Sequence, residues 1–143
     1  MPPISEEEAI ARASAALRVD ERLPARALLV HRLDRPGDYY LVVVGGPDAA
    51  AGVATVDAST GEVGTSAQLS ARGPHLAITA AGARTLAGVR GEAPARLVWR
   101  PCAASRSPLY PFWEVDDPEG PVYVDQLGRV WHTPPWEAAE SRG

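Results

Sequence analysis

Cys102 is the only cysteine in a chain of 143 residues, and His31, His75 and His132 are spread along its length. A cysteine nucleophile needs a base and a third orienting group converging on it, and no local arrangement around Pro101-Cys102-Ala103 supplies them. Zinc-type sites need histidine or cysteine ligands at short spacing, and this chain has no such pair, so no metal site is expected. Asp116, Asp117 and Glu119 stand together before Gly120-Pro121. Paired carboxylates can divide acid and base work when their environments differ. The run Asp-Asp-Pro-Glu-Gly-Pro is equally the composition of a solvated turn. Gly64-Thr65-Ser66 lacks the second glycine of a nucleophile elbow, since Gln68 stands in its place. Gly45-Gly46-Pro47 has neither the lysine of a phosphate loop nor dinucleotide spacing, and no cofactor is expected.

The aromatic residues carry more information. Seven of nine lie after residue 98: Trp99, Tyr110, Phe112, Trp113, Tyr123, Trp131 and Trp136. Some must build the core of the second half. Tryptophan, tyrosine and arginine on an open face are also the composition of binding hot spots. Trp99, Arg100, Tyr110, Trp113 and Trp131 are therefore the candidate contact residues for a protein partner.

These groups must be positioned by short elements. Ser5-Glu6-Glu7-Glu8 has capping-box spacing and predicts a helix from there to about Val19, with Ile10, Ala13, Ala16 and Leu17 on one side. Apolar runs at residues 27–33, 39–44 and 53–58 read as strands separated by turn-forming clusters. Those gaps are too short for helical crossovers, so neighbouring strands should run antiparallel. Asp57, Ser59, Thr60 and Gly61 predict a tight hairpin in which Asp57 accepts backbone N–H groups and Gly61 takes positive φ. Residues 64–74, small and polar, read as a connector. A second helix is expected over residues 78–89 with Thr79 as its cap, followed by strands at 96–100, 110–115, 122–126 and 129–132. Pro111, falling inside one of these, suggests an edge strand or a bulge.

The pattern of helix and hairpins occurs twice. Val56-Asp57 followed by Gly61-Glu62-Val63 matches Val124-Asp125 followed by Gly128-Arg129-Val130, with the aspartates 68 residues apart. Asp57, Gly61, Asp125 and Gly128 are thus the expected structural turn residues. The reading is α+β: two repeated units of one helix plus antiparallel β-hairpins, spanning 1–66 and 76–136, packed as one small domain with a flexible tail at 137–143. Whether the two units share one sheet is left open.

Glu6-Glu7-Glu8-Ala9-Ile10-Ala11, the aromatic strand at residues 39–44 and the hairpin at residues 56–63 together resemble the PepSY domain, in two tandem copies. That resemblance implies a helix on a small antiparallel sheet, without catalysis, inhibiting or modulating a partner such as a peptidase. Gly120-Pro121-Val122-Tyr123-Val124-Asp125 is similar to a stretch of the immunity protein 35 family, which implies neutralisation of a toxin.

Composition bounds the remaining choices. The chain has 14 arginines, no lysine and 18 acids, for a net charge of −4, and neither half has the basic excess that nucleic-acid binding relies on. A single cysteine excludes an intrachain disulfide and suits a reducing compartment. The N-terminal stretch lacks a signal-peptide pattern, and no run is long enough to span a membrane, so a cytoplasmic protein is expected. The expected function is a non-catalytic protein-binding, inhibitor or modulator module, acting as a monomer or homodimer. Alternatives are an immunity protein and a small enzyme using Cys102 or the Asp116 to Glu119 cluster.

Overall fold

A computed structural model describes residues 4–20, 22–46, 49–73, 75, 78–89 and 91–140. Helix α1 (Glu6–Leu17) begins where the capping spacing places it: Ser5 Oγ accepts from the Glu8 N–H at 3.1 Å, and three glutamates face the positive end of the helix dipole. It stops at Arg18, whose φ of 56° closes the last turn in the left-handed region. Its buried face, Ala9, Ala13, Ser14 and Leu17, is made of small residues and one leucine, which allows close approach to a sheet. Ile10 is half-buried and Ala16 exposed, so the apolar stripe lies one position off the expected one.

Strands β1 (Ala25–Arg32), β2 (Tyr39–Gly46), β3 (Ala49–Asp57) and β4 (Val63–Gly73) form an antiparallel meander. Helix α2 (Ala80–Ala87) follows, capped by Thr79 and closed by Gly88 at φ 75°. A second antiparallel meander is built from β5 (Ala95–Trp99), β6 (Phe112–Val115), β7 (Val122–Val124) and β8 (Val130–Trp131), and the six-residue α3 (Pro135–Glu140) comes last. The strands make one mixed eight-stranded sheet in the order β4-β3-β2-β1-β5-β6-β7-β8. Its halves join through a parallel pair, with Val30 opposite Leu97 and Arg32 opposite Trp99. The α+β class stands, and the sheet is continuous.

Side chains alternate across a strand, so the strand register assigns the helices to faces. Tyr40, Val42 and Val44 pack with Ala54, Val56 and α1. Tyr39, Leu41 and Val43 lie on the other face with Val30, Leu97, Trp99 and Trp113. Helix α2 is on that second face, where Trp113 Nε1 donates to Ile78 O at 2.8 Å and Ala83 is fully buried. Trp136 of α3 packs edge-on against Phe112 and Tyr123, on the same face as α1. Every residue from Tyr39 to Val44 is buried because both faces of β2 are covered, which is why its sequence is a continuous apolar run.

Three expectations need correcting. Residues 64–73 are not a connector, since β4 runs through Gly73, and Pro74 lies outside the described residues. The small polar residues of β4 carry little strand propensity, and pairing to β3 at the sheet edge decides the conformation. Of the expected tail at 137–143, residues 137–140 belong to α3, in which Pro135 suits the first turn and buried Trp136 anchors the helix, and 141–143 lie outside the described residues. Pro111 lies at neither an edge nor a bulge: it precedes β6, a central strand, and is fully buried. Among the described residues, no helix is long and apolar enough to cross a membrane.

Candidate functional site

The connection from β5 to β6 spans residues 100–111, far longer than a hairpin needs, and it is pinned at several points. Cys102 and Ser105 exchange backbone hydrogen bonds at 3.1 Å, closing a four-residue turn. The Ser105 hydroxyl is buried. It accepts from Trp99 Nε1 at 3.3 Å and lies 2.7 Å from Tyr110 O, to which it can donate. Tyr39 donates its phenol proton to Pro108 O at 2.7 Å. His75 donates from Nε2 to Leu109 O at 2.8 Å, and buried Leu109 seats the loop on the sheet. The loop is therefore held as a wall.

Facing this wall is the turn between β7 and β8, organised by Asp125. Its carboxylate is 4% exposed and accepts four hydrogen bonds. Oδ1 takes the N–H groups of Leu127 and Arg129, both at 2.9 Å; Oδ2 takes Arg129 Nε at 2.7 Å and Trp131 Nε1 at 3.3 Å. Gly128, at φ 83°, completes the turn. Leu127 is left at the tip, 80% exposed.

Between wall and turn lies an open pocket of about 530 Å³, lined by His75, Ala104, Arg106, Tyr110, Gln126 and Leu127, among others. His75 is buried, and its loss of hydration holds the ring below the usual imidazole range despite the bond to Leu109, with Arg26 adding repulsion. Since a carbonyl can only accept, Nε2 carries the proton and Nδ1 of the neutral ring does not. The ring leans on Tyr110 at 5.2 Å between centroids. Gln126 donates from Nε2 to Pro111 O at 2.9 Å, while its Oε1 is buried without a donor among the described residues.

The sequence-predicted contact residues do not come together as one face. Trp99 is 2% and Trp113 8% exposed; both are core, with Trp99 edge-on to Tyr39 at 6.4 Å and under the Arg32 guanidinium at 4.8 Å. Burial on both sides of β5 and β6 removes them from any contact surface. Arg100 is half-buried beside them. Tyr110, 47% exposed, borders the pocket, and Trp131 is half-buried under Arg129 at 5.7 Å. Asp57, at the end of β3, accepts the N–H groups of Ser59 and Thr60 at 2.8 and 2.9 Å; Gly61 has φ 78°. These bonds, that from Thr60 foremost and the Ser59 hydroxyl next, hold the Asp57 carboxyl below its usual range.

The remaining chemical candidates are apart from the pocket's floor. Cys102 Sγ lies 3.9 Å from Ser105 O, a weak contact to a group that is no base. Asp116, Asp117 and Glu119 occupy the turn between β6 and β7, where Asp117 accepts the Glu119 N–H at 3.0 Å. Among the described residues, no three His, Cys, Asp or Glu side chains are placed to hold a metal ion. Sequence reasoning missed His75, Arg106, Gln126 and Leu127 as pocket residues. The available signal was the length of the 100–111 segment, since a long ordered loop in a small domain commonly carries function.

In comparisons with known proteins, no family model matches the chain, and no curated protein or solved structure matches it.

Proposed function

We propose that this chain is a non-catalytic protein-binding module that modulates its partner, as the PepSY resemblance implies, and that the partner docks over the pocket mouth. The observation that carries this reading is the placement of exposed apolar side chains. Among the described residues, the exposed large hydrophobic residues are Leu29, Leu33, Leu86, Tyr110 and Leu127, and Tyr110 and Leu127 line one concavity. A Cβ built on Gly128 would lie 3.9 Å from Leu86 Cδ1, which brings Leu86 beside the turn that carries Leu127. Clustered exposed apolar groups with arginines at their margin mark contact surfaces.

We also read the two meanders as copies of one unit. In support, Tyr40 and Phe112 each stand in a second strand, and Asp57 as the last residue of a third strand and Asp125 as the residue after one each accept the turn's backbone N–H groups. A two-fold axis along the strands between β1 and β5 would put the leading helices on opposite faces, in accord with α1 and α2.

The test uses a partner captured by the immobilised chain, then purified. Leu127→Ser and Tyr110→Ala should each weaken binding by about thirtyfold, the scale of a true hot spot, with the melting temperature held. Leu29→Ser, at an exposed leucine that does not line the pocket, should not. Equal binding by all three variants refutes the assigned surface.

A further inference from the structure

We propose that the pocket between the 102–110 loop and the β7–β8 turn binds a small amphipathic organic anion, its apolar body against Ala104, Tyr110 and Leu127 and its acid group at Arg106. The inference concerns a free small molecule and holds whether or not the rim also docks a protein.

A volume of about 530 Å³ falls within the range of small-molecule sites, which are concave, mainly apolar and furnished with a few polar groups. A mainly apolar hollow of this size offers a gain to a ligand that buries apolar surface in it. Charge then selects the class. Besides the Tyr110 phenol, four titratable side chains among the described residues line the pocket: His75, Arg106, Asp125 and Arg129. His75 is disfavoured as a cation by burial. Asp125 and Arg129 neutralise each other through a 2.7 Å ion pair. Arg106 is exposed and has no carboxylate partner among the described residues. The pocket therefore carries a net single positive charge on a chain whose overall charge is −4. A guanidinium presents paired donors that match a carboxylate or sulfonate, and the apolar wall beside it lowers the screening of that contact.

Anilinonaphthalene sulfonate, an apolar aromatic anion that fluoresces when removed from water, is the probe, with uncharged phenylnaphthylamine as its counterpart. In titrations of the folded protein the anion should bind about tenfold more tightly than the uncharged probe, and this preference should shrink as sodium chloride rises from about 0.05 to 0.5 M. Arg106→Gln, a change at an exposed side chain, should abolish the preference while leaving the uncharged probe within about twofold of its original affinity. Ala104→Trp, which fills the cavity, should weaken both probes. The proposal is overturned if the two probes bind the unmodified protein equally, if neither binds, or if Arg106→Gln leaves the anion's affinity unchanged. Because no protein partner is present in these titrations, their outcome is separate from that of the docking test.

Discussion

Replacing Asp125 with alanine tests the turn that forms one side of the pocket. The carboxylate is 4% exposed and holds two backbone N–H groups, a guanidinium and an indole N–H at 2.7 to 3.3 Å. A hydrogen bond to a charged group contributes about 1.5–3 kcal/mol when buried, and less where water can replace the acceptor. Leu127 and Arg129 are exposed, so their two N–H groups together account for about 2 kcal/mol. The Arg129 side chain is 53% exposed, which limits its ion pair to below about 1 kcal/mol. The long Trp131 contact adds about 0.5 kcal/mol. The expected loss is about 2–4 kcal/mol, and for a chain of 143 residues each kcal/mol lowers the melting temperature by about 3 °C. Asp57→Ala removes a similar turn acceptor, but one whose bonds lie in solvent-exposed positions, and should cost only about 1 kcal/mol. Thermal unfolding followed by circular dichroism and tryptophan fluorescence should therefore show a drop of about 6–12 °C for Asp125→Ala and about 3 °C for Asp57→Ala. A drop below about 3 °C for Asp125→Ala, or the reverse order of the two variants, would refute this account of the turn.

Two further outcomes follow from burial. His75 has a lowered folded-state pKa because burial penalises its cation, so the unfolded chain takes up the proton first. The stability it contributes is complete above the ordinary value of 6.5 and is lost as pH falls below that through the folded-state value. Urea unfolding from about pH 7.5 to 5.5 should show the unmodified protein weakening more steeply than His75→Gln, whose amide can still donate to Leu109 O; parallel pH curves would exclude this role. Trp99→Ala should destabilise the fold by about 3–5 kcal/mol and Tyr110→Ala by less than about 1 kcal/mol, measured by the same melts, since only the first leaves a cavity; equal losses would contradict their placement.

Where local chemistry sufficed, the amino-acid sequence was enough. Ser5 and Thr79 cap their helices because a hydroxyl before a helical run satisfies the first exposed N–H groups in any tertiary setting. The turns at Asp57 and Asp125 were legible for the same reason: a carboxylate accepting nearby backbone N–H groups, with glycine at positive φ, is a property of five or six residues. The apolar runs of β1, β2 and β3 and the antiparallel sense of their pairing followed from short connections.

Decisions that depend on distant neighbours were not legible. Val63 to Gly73 has the composition of a linker, and becomes a strand because β3 offers a ladder of unpaired groups beside it. Nothing in the local pattern says that β1 pairs with β5 in parallel, since that junction joins residues far apart in the chain. Trp99 and Trp113 could have faced solvent or core on periodicity alone; coverage of both sheet faces buried them and left Tyr110 and Leu127 outside. The pocket is the extreme case. His75, Arg106, Tyr110 and Gln126 carry no shared spacing, and they meet only because a twelve-residue loop pinned by Ser105, Tyr39 and His75 folds back against the turn that Asp125 closes. Caps and turns are settled by bonds within a few residues, whereas burial and cavities are settled by which surfaces the rest of the chain happens to cover.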